Sequence, residues 1–305
     1  MGGDDERPGA RRVIVCFGSI NLDLIFAVPR LPVAGQTVLG PTLHMEPGGK
    51  GANQAVAAAR DGATVVFAGA VGRDALADDA LGLLRAAGVD VSRVAAVDQA
   101  TGAAAICVDP AGENLIAVAS GANLAARAGQ VEDALLGPQT TLLLQRETDP
   151  QETEVLIARA RAAGCRIVLN LAPPGRLAAA ALRALDVLVV NEDEAAWLAG
   201  DLGVAAGTAA LHAALGVDVV QTLGGNGVEA VTRRGAWRVA GRPVAVVDTA
   251  GAGDCFTGVL AAALDRGETL PAAMARGNAA AGLACTRAGT QRAMPLAAEI
   301  AAALG

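Results

Sequence analysis

Apolar runs of strand length alternate along the chain with longer alanine-rich stretches of helical length. Val13–Phe17, Val65–Ala70, Leu142–Gln145, Ile167–Asn170, Val187–Val190 and Val217–Leu223 are apolar almost throughout. Strands buried on both faces of a parallel sheet read this way. Between them lie Gly51–Arg60, Asp74–Ala87, Glu152–Ala163, Arg176–Ala184 and Glu194–Leu198, each with helical character. Alternating strands and helices with short connections predict an α/β fold, a mostly parallel central sheet flanked by helices. Beyond Asp248 the pattern is helical, over Asp254–Arg266, Pro271–Thr286 and Leu296–Leu304.

Two regions break the rhythm. Asp23–Val28 with Thr37–His44, and Gly102–Val108 with Asn114–Ala119, have strand character with no helix between their members. Pro29, Pro32, Gly35 and Gly40 punctuate the first pair, and Asp109-Pro110-Ala111-Gly112 forms a turn in the second. Together they could form a small second sheet projecting from the main one, contributed by about residues 23–44 and 102–119. No internal repeat or linker is visible, so residues 1–305 read as one α/β domain.

Composition narrows the class. Hydrophobic residues make up 53% of the 305 positions and charged ones 18%, which excludes intrinsic disorder. No apolar stretch reaches the roughly 18 residues that a membrane helix needs. The opening MGGDDERPGARR has no apolar core behind its charges, unlike a signal peptide. A net charge of −7 offers no field for collecting nucleic acid. Any phosphate ligand must then be held by local devices such as helix N-termini and Gly-rich turns. Cys16, Cys107, Cys165, Cys255 and Cys285 are at least 30 residues apart. They form neither a zinc motif nor a CxxC, and suggest reduced thiols in the cytoplasm. His44 and His212 are the only histidines, which rules out a His-rich metal centre.

Three segments suggest chemistry. Of the 24 long cations only Lys50 is a lysine, and it sits in Pro47-Gly48-Gly49-Lys50-Gly51-Ala52-Asn53-Gln54. A compact ammonium fits where a planar guanidinium does not, although one lysine in a Gly-rich surface turn could also be chance. A glycine after it rules out a Walker A loop. The second segment is Asp248-Thr249-Ala250-Gly251-Ala252-Gly253-Asp254, expected between a strand at Val244–Val247 and a helix starting near Asp254. Glycines before a helix N-terminus make an anion pocket, here at Ala252, Gly253 and Asp254, with the Asp254 carboxylate beside it. The plainer reading makes Asp254 a helix cap. The third segment, Gly18-Ser19-Ile20-Asn21-Leu22-Asp23, ends the first strand at the sheet edge where open α/β folds bind ligands. Asn21 and Asp23 alternate, so both point one way and suit vicinal hydroxyls; a capped turn is the alternative.

These segments resemble the ribokinase-like (PfkB) family of carbohydrate kinases. The resemblance runs from about Val13 to Pro295 and includes GSINLD, GGKGANQAVAA, Ala100-Thr101-Gly102, GEN at Gly112–Asn114 and GAN at Gly121–Asn123. It continues through Asn191-Glu192-Asp193-Glu194, Thr222-Leu223-Gly224 and the signature DTAGAGD. It implies ATP-dependent phosphorylation of the primary 5-hydroxyl of a pentose, D-ribose. By position, Asn21, Asp23, Gly49, Lys50, Asn53 and Glu147 would hold the sugar, and Asp254 would be the catalytic base. Asn191, Thr222, Gly224, Gly227, Gly253 and Asn278 would contact ATP. Glu194 would serve magnesium through water. Asp248, with carbonyls of Ala250, Ala284, Arg287 and Gly289, would hold potassium. The small sheets would act as a lid and pair two subunits in a homodimer. Another sugar or a nucleoside as acceptor is the alternative; a silent sugar-binding protein should have lost Asp254 or the Gly-Ala-Gly turn, and a dinucleotide-binding dehydrogenase lacks its fingerprint. Four positions depart from the family pattern. Arg146 stands where an apolar residue is usual, Leu171 replaces a proline, Asn278 a frequent histidine, and Ala293 a common serine.

Overall fold

The structure is a computed structural model, and it describes residues 12–305. The opening segment weighed above as a signal peptide falls, through residue 11, outside the described residues. The first half of the chain runs β1 (Val13–Phe17), β2 (Asn21–Ala27), β3 (Thr42–Gly48), α1 (Lys50–Arg60), β4 (Val65–Gly72), α2 (Leu76–Ala86), β5 (Asp90–Val97), β6 (Gly102–Val108) and β7 (Asn114–Ala119). It continues through β8 (Thr140–Leu144), α3 (Pro150–Ala162), β9 (Arg166–Asn170), α4 (Ala179–Arg183), β10 (Val187–Val190), α5 (Glu192–Leu202), α6 (Thr208–Leu215) and β11 (Asp218–Thr222). The hairpin β12 (Gly227–Thr232) and β13 (Gly235–Ala240) precedes three helices, α7 (Ala252–Asp265), α8 (Leu270–Ala284) and α9 (Ala297–Leu304).

Among the described residues, nine strands form the main sheet in the order β13-β12-β11-β10-β9-β8-β1-β4-β5. Neighbours from β11 to β5 are parallel, and β12 and β13 add an antiparallel edge. The pleat sends alternate residues of β1 to opposite faces. Ile14 and Cys16 pack with α1, α7 and α8 residues such as Val56, Leu260 and Met274. Val15 and Phe17 pack with Leu156 of α3 and Leu198 of α5. Two separate apolar layers are why the central strands are apolar on both sides.

The second sheet has the order β3-β2-β6-β7, with β2 and β6 parallel and the outer pairs antiparallel. Its first pair differs from expectation: β3 begins at Thr42, not Thr37, and runs on to Gly48. Gly40 and Pro41 interrupt the earlier residues, and a proline has no N–H for a ladder. The small sheet therefore spans 21–48 and 102–119, and its base leads directly into α1.

Val244–Val247 is not a strand. β13 already forms the sheet edge, and the Val247 N–H donates instead to the Cys285 carbonyl (2.8 Å). This leaves Val246 and Val247 exposed. The apolar pattern also passes over β5, α6, β12 and β13. β5 is an edge strand carrying Asp90, Ser92 and Arg93, and the β12–β13 hairpin turns through Arg233 and Arg234. Such half-exposed strands lack the continuous apolar run that marks a buried one.

Candidate active site

The site is built where β1, α1 and α7 meet. α1 starts at Lys50, and Gly49 before it adopts φ +87°. A side chain at Gly49 would need a left-handed backbone and would place its Cβ 2.8 Å from the Asn21 nitrogen. The Ser19 hydroxyl donates to Glu147 Oε2 (2.5 Å) and accepts from the Gly51 N–H (3.2 Å). Glu147 Oε2 also accepts the Lys50 N–H (3.1 Å). Glu147 is thus fixed through Oε2 to Ser19 and to the first turn of α1.

Asn21 and Asp23 lie on one face of β2, two residues apart, as the alternation predicts. Asn123 clamps the start of this strand: its Oδ1 accepts the Ile20 N–H (2.9 Å) and its Nδ2 donates to Asn21 Oδ1 (2.7 Å). Burial pushes the Asp23 carboxyl up to about 7, helped by the negative charges of Glu147 and Glu46. The negative charge of Asp254 holds the Lys50 ammonium above its ordinary value, with Glu147 and Glu194 adding to it.

α7 begins at Ala252, capped by Gly251 at φ +71°. Asp254 lies in its first turn, only 7% exposed. Asn53 Nδ2 donates to its Oδ2 (2.9 Å) and Gln54 Nε2 to its Oδ1 (2.9 Å). The Asp254 side chain makes no capping bond to its own helix. A methyl group at Gly253 would project into open space.

Two cavities meet over this turn. One of about 220 Å³ is lined by Lys50, Asn191, Glu194, Gly253 and Asp254. The other, about 340 Å³, is lined by Thr222, Gly224, Gly227, Phe256 and Asn278. They share Thr222, Thr249, Ala252 and Gly253, so they are two parts of one cleft. Asn191 and Glu194 are engaged with each other at the start of α5. The Glu194 N–H donates to Asn191 Oδ1 and the Asn191 N–H to Glu194 Oε2, both at 2.8 Å. Burial raises the Glu194 carboxyl above its usual value.

Asp248 joins two loops beside the cleft. Its Oδ1 accepts the Ala250 N–H (2.9 Å) and its Oδ2 the Gly289 N–H (3.1 Å). Cys285 O accepts the N–H groups of Val247 and Asp248 (2.8 and 3.2 Å). Ala250 and Gly289 are thus joined through Asp248, and the Ala284 carbonyl accepts the Arg287 N–H (3.1 Å). Gln54, Ser19 and Asn123 were not singled out from the sequence, although Gln54 and Asn123 lie inside GGKGANQ and GAN. Only the fold shows whom they bond.

The departing residues fall on structural duties. Leu171 is buried in the core, and Ala293 is buried beside the last loop. Asn278 Nδ2 donates to Ala240 O (2.9 Å) at the far end of the cleft. Arg146 Nη2 donates to Arg176 O (3.0 Å). Its Nε and Nη1 are buried without a partner, and burial lowers its guanidinium below the ordinary value.

The description "pfkB family carbohydrate kinase" matches residues 11–297. The chain is 36% identical over 295 residues to a ribokinase of Haemophilus influenzae, covering 93% of this chain and 96% of that protein. It is 34% identical to a Bacillus subtilis ribokinase over 291 residues, 95% of this chain and 98% of the relative. A ribokinase structure from Thermotoga maritima superposes with TM-score 0.88 at 31% identity, covering 96% of this chain and 99% of that one. An Arabidopsis thaliana ribokinase complexed with ribose and ATP superposes with TM-score 0.87 at 28% identity, covering 97% and 99%. With this match over nearly its whole length, the chain belongs to the pfkB family of carbohydrate kinases.

Proposed function

We propose that this protein transfers the γ-phosphoryl group of ATP to the primary 5-hydroxyl of D-ribose, giving ribose 5-phosphate and ADP. One observation carries the reading. Asp254 lies where the Asn21, Asp23, Lys50 and Asn53 side meets the long cleft, with both carboxylate oxygens held by amides. The names of the relatives, and the ribose and ATP held by the Arabidopsis protein, support the same substrates.

In this reading Asn21, Asp23, Gly49, Lys50, Asn53 and Glu147 hold the sugar. Thr222, Gly224, Gly227, Gly253, Asn191 and Asn278 contact the nucleotide along the cleft. Phosphoryl transfer needs donor and acceptor in line and charge stabilised. The N–H groups of Gly253 and Asp254, at the positive end of α7, face the transferring oxygens, whereas that of Ala252, also expected in the pocket, donates to the Thr249 carbonyl (3.2 Å). Asp254 takes the hydroxyl proton as the new O–P bond forms, and ADP leaves with the electron pair of the broken bond. The small sheet closes over the sugar as part of one domain and excludes water. Phe26, Leu43, Met45 and Leu115 are exposed on its face opposite Asp23, which supports pairing of two subunits there. Five free cysteines support a cytoplasmic location. Among the described residues no helix is long and apolar enough to cross a membrane.

Two ions fit the residues present. Glu194 is the one carboxylate besides Asp254 that lines this part of the cleft, and it would hold magnesium through water. With ATP bound, magnesium there would neutralise phosphate charge. The Asp248 carboxylate with the carbonyls of Ala250, Ala284, Arg287 and Gly289 would give an all-oxygen set of the kind that suits potassium. Because Asp248 also fastens Ala250 and Gly289, this loop sets the shape of the turn before Asp254. Activity is expected to rise in potassium chloride and much less in sodium chloride. Equal rates in the two salts at matched ionic strength contradict the assignment.

Asp23 gives a second expected result. Removing one partner of a buried hydroxyl costs about 1–3 kcal/mol, so Asp23→Ala should raise the ribose KM roughly tenfold or more. In the intact protein its carboxyl is raised to about 7. Below that pH it is protonated and loses acceptor capacity; above it, the carboxylate accepts charge-assisted bonds. The ribose KM therefore falls as pH rises through about 7. Asp23→Asn should flatten that profile, and a variant profile as steep as wild type refutes the assignment.

The function itself is tested by coupled ADP release with ribose, deoxyribose, fructose and adenosine as acceptors. The highest kcat/KM is expected with ribose. A higher value with any of the other three replaces the proposed acceptor.

A further inference from the structure

Gln54 is completely buried, one residue beyond Asn53 in the first turns of α1. Its amide makes three hydrogen bonds. Nε2 donates to Asp254 Oδ1 (2.9 Å) and to Asn170 Oδ1 (3.0 Å), and Oε1 accepts from Gln145 Nε2 (2.8 Å). Asn170 is anchored in turn by donating to Val189 O (3.2 Å). A line of amides thus runs from the carboxyl ends of β8 and β9 through α1 to the carboxylate on α7.

The backbone around this line is shaped to admit it. A Cβ on Gly18 would lie 2.0 Å from Gln145 Oε1, and a Cβ on Gly258 would lie 2.3 Å from the Gln54 carbonyl. Glycines therefore let the amide of Gln145 in after β1, and let α7 approach α1 at Gln54. Buried amides are costly unless bonded, and an apolar side chain would fill the same space without needing partners. The orientation of Gln54 is also dictated, because its oxygen meets a donor and its nitrogen meets two acceptors. Gln54 is 0% exposed, so its side chain is closed off from what binds in the cleft.

We propose that Gln54, held by Gln145 and Asn170, is a positioning residue that locks the Asp254 carboxylate in the orientation from which it takes the sugar proton. Asn53 holds Oδ2 and Gln54 holds Oδ1, so the carboxylate is fixed at both oxygens. The inference rests on Asp254 acting as the base.

The test is a double-mutant cycle on the intact protein. Gln54→Met keeps the volume and removes the donor. It is expected to lower kcat about 10- to 100-fold, the scale of a lost bond to a charged group, with KM for ribose and ATP little changed. In an Asp254→Asn background the same substitution should cost no further kcat, because there is no carboxylate to orient. Gln54→Glu keeps the shape; buried against Asp254 it is held as the neutral acid, whose O–H can still donate to Oδ1, so it should recover much of the kcat lost in Gln54→Met. Unchanged kcat in Gln54→Met, an equal loss in both backgrounds, or a Gln54→Glu rate no higher than that of Gln54→Met overturns the positioning role. If Asp254→Asn alone retains turnover, the base assignment fails instead, and the inference with it.

Discussion

Asp254→Asn is expected to lower kcat by about 10²–10⁴-fold, the usual worth of a general base, while ATP and ribose still bind. Asparagine keeps the size of the side chain but cannot accept the hydroxyl proton. An alkoxide is too basic to form freely at neutral pH, so the proton must leave as the O–P bond develops. The competing reading, in which Asp254 merely caps α7, has lost its geometric footing. The cap is Gly251, and the Asp254 oxygens point to Asn53 and Gln54. Both of those bonds are donated to Asp254, so the nitrogen of an introduced amide would meet a donor. Turning the Asn53 amide relieves this, since its Oδ1 has no partner in the present arrangement. The variant should therefore fold, which a melting curve close to wild type will establish. A kcat within a few-fold of wild type contradicts the mechanism.

Asp61→Ala is the second large effect, and it acts on the frame. Asp61 closes α1 with a side chain that is 0% exposed. Arg276 of α8 reaches it at 2.5 Å and Arg266, at the end of α7, at 2.8 Å. Removing the carboxylate leaves the Arg276 side chain, 15% exposed, without its salt-bridge partner. Breaking a buried pair in this way costs about 3–5 kcal/mol, far above an exposed pair. The same carboxylate fixes the far ends of α1 and α7, whose near ends carry Lys50, Asn53 and Asp254. Urea unfolding should show the loss, and a change below about 1 kcal/mol would mean the pair behaves like a surface one.

Much of this frame is legible in the sequence. β1 and β10 coincide with their apolar runs, because strands buried on both faces leave an unbroken apolar signal. The common direction of Asn21 and Asp23 follows from the two-residue period of a strand. The segments Gly48–Gln54 and Asp248–Asp254 stand out through their glycines and the lone lysine, and the fold places them against each other. Less was legible where a residue's meaning depends on a distant partner. Val244–Val247 has strand-like composition but no free sheet edge to join. Gln54 looks like an ordinary polar helix residue until Asp254, 200 positions away, is seen to accept its bond. Asn191 and Glu194 carry a spacing that serves a capping box, and the same spacing brings Glu194 to the cleft wall.

The most direct test of the central claim is the identity of the product. The protein is incubated with ATP, magnesium, potassium and ribose, and the sugar phosphate is examined by phosphorus–proton correlation NMR. The account predicts one new phosphate ester, with its phosphorus coupled to the protons of the primary carbon of ribose, formed in equal amount to ADP. A phosphate on any other carbon, or ADP released with free phosphate and no ester, would contradict it.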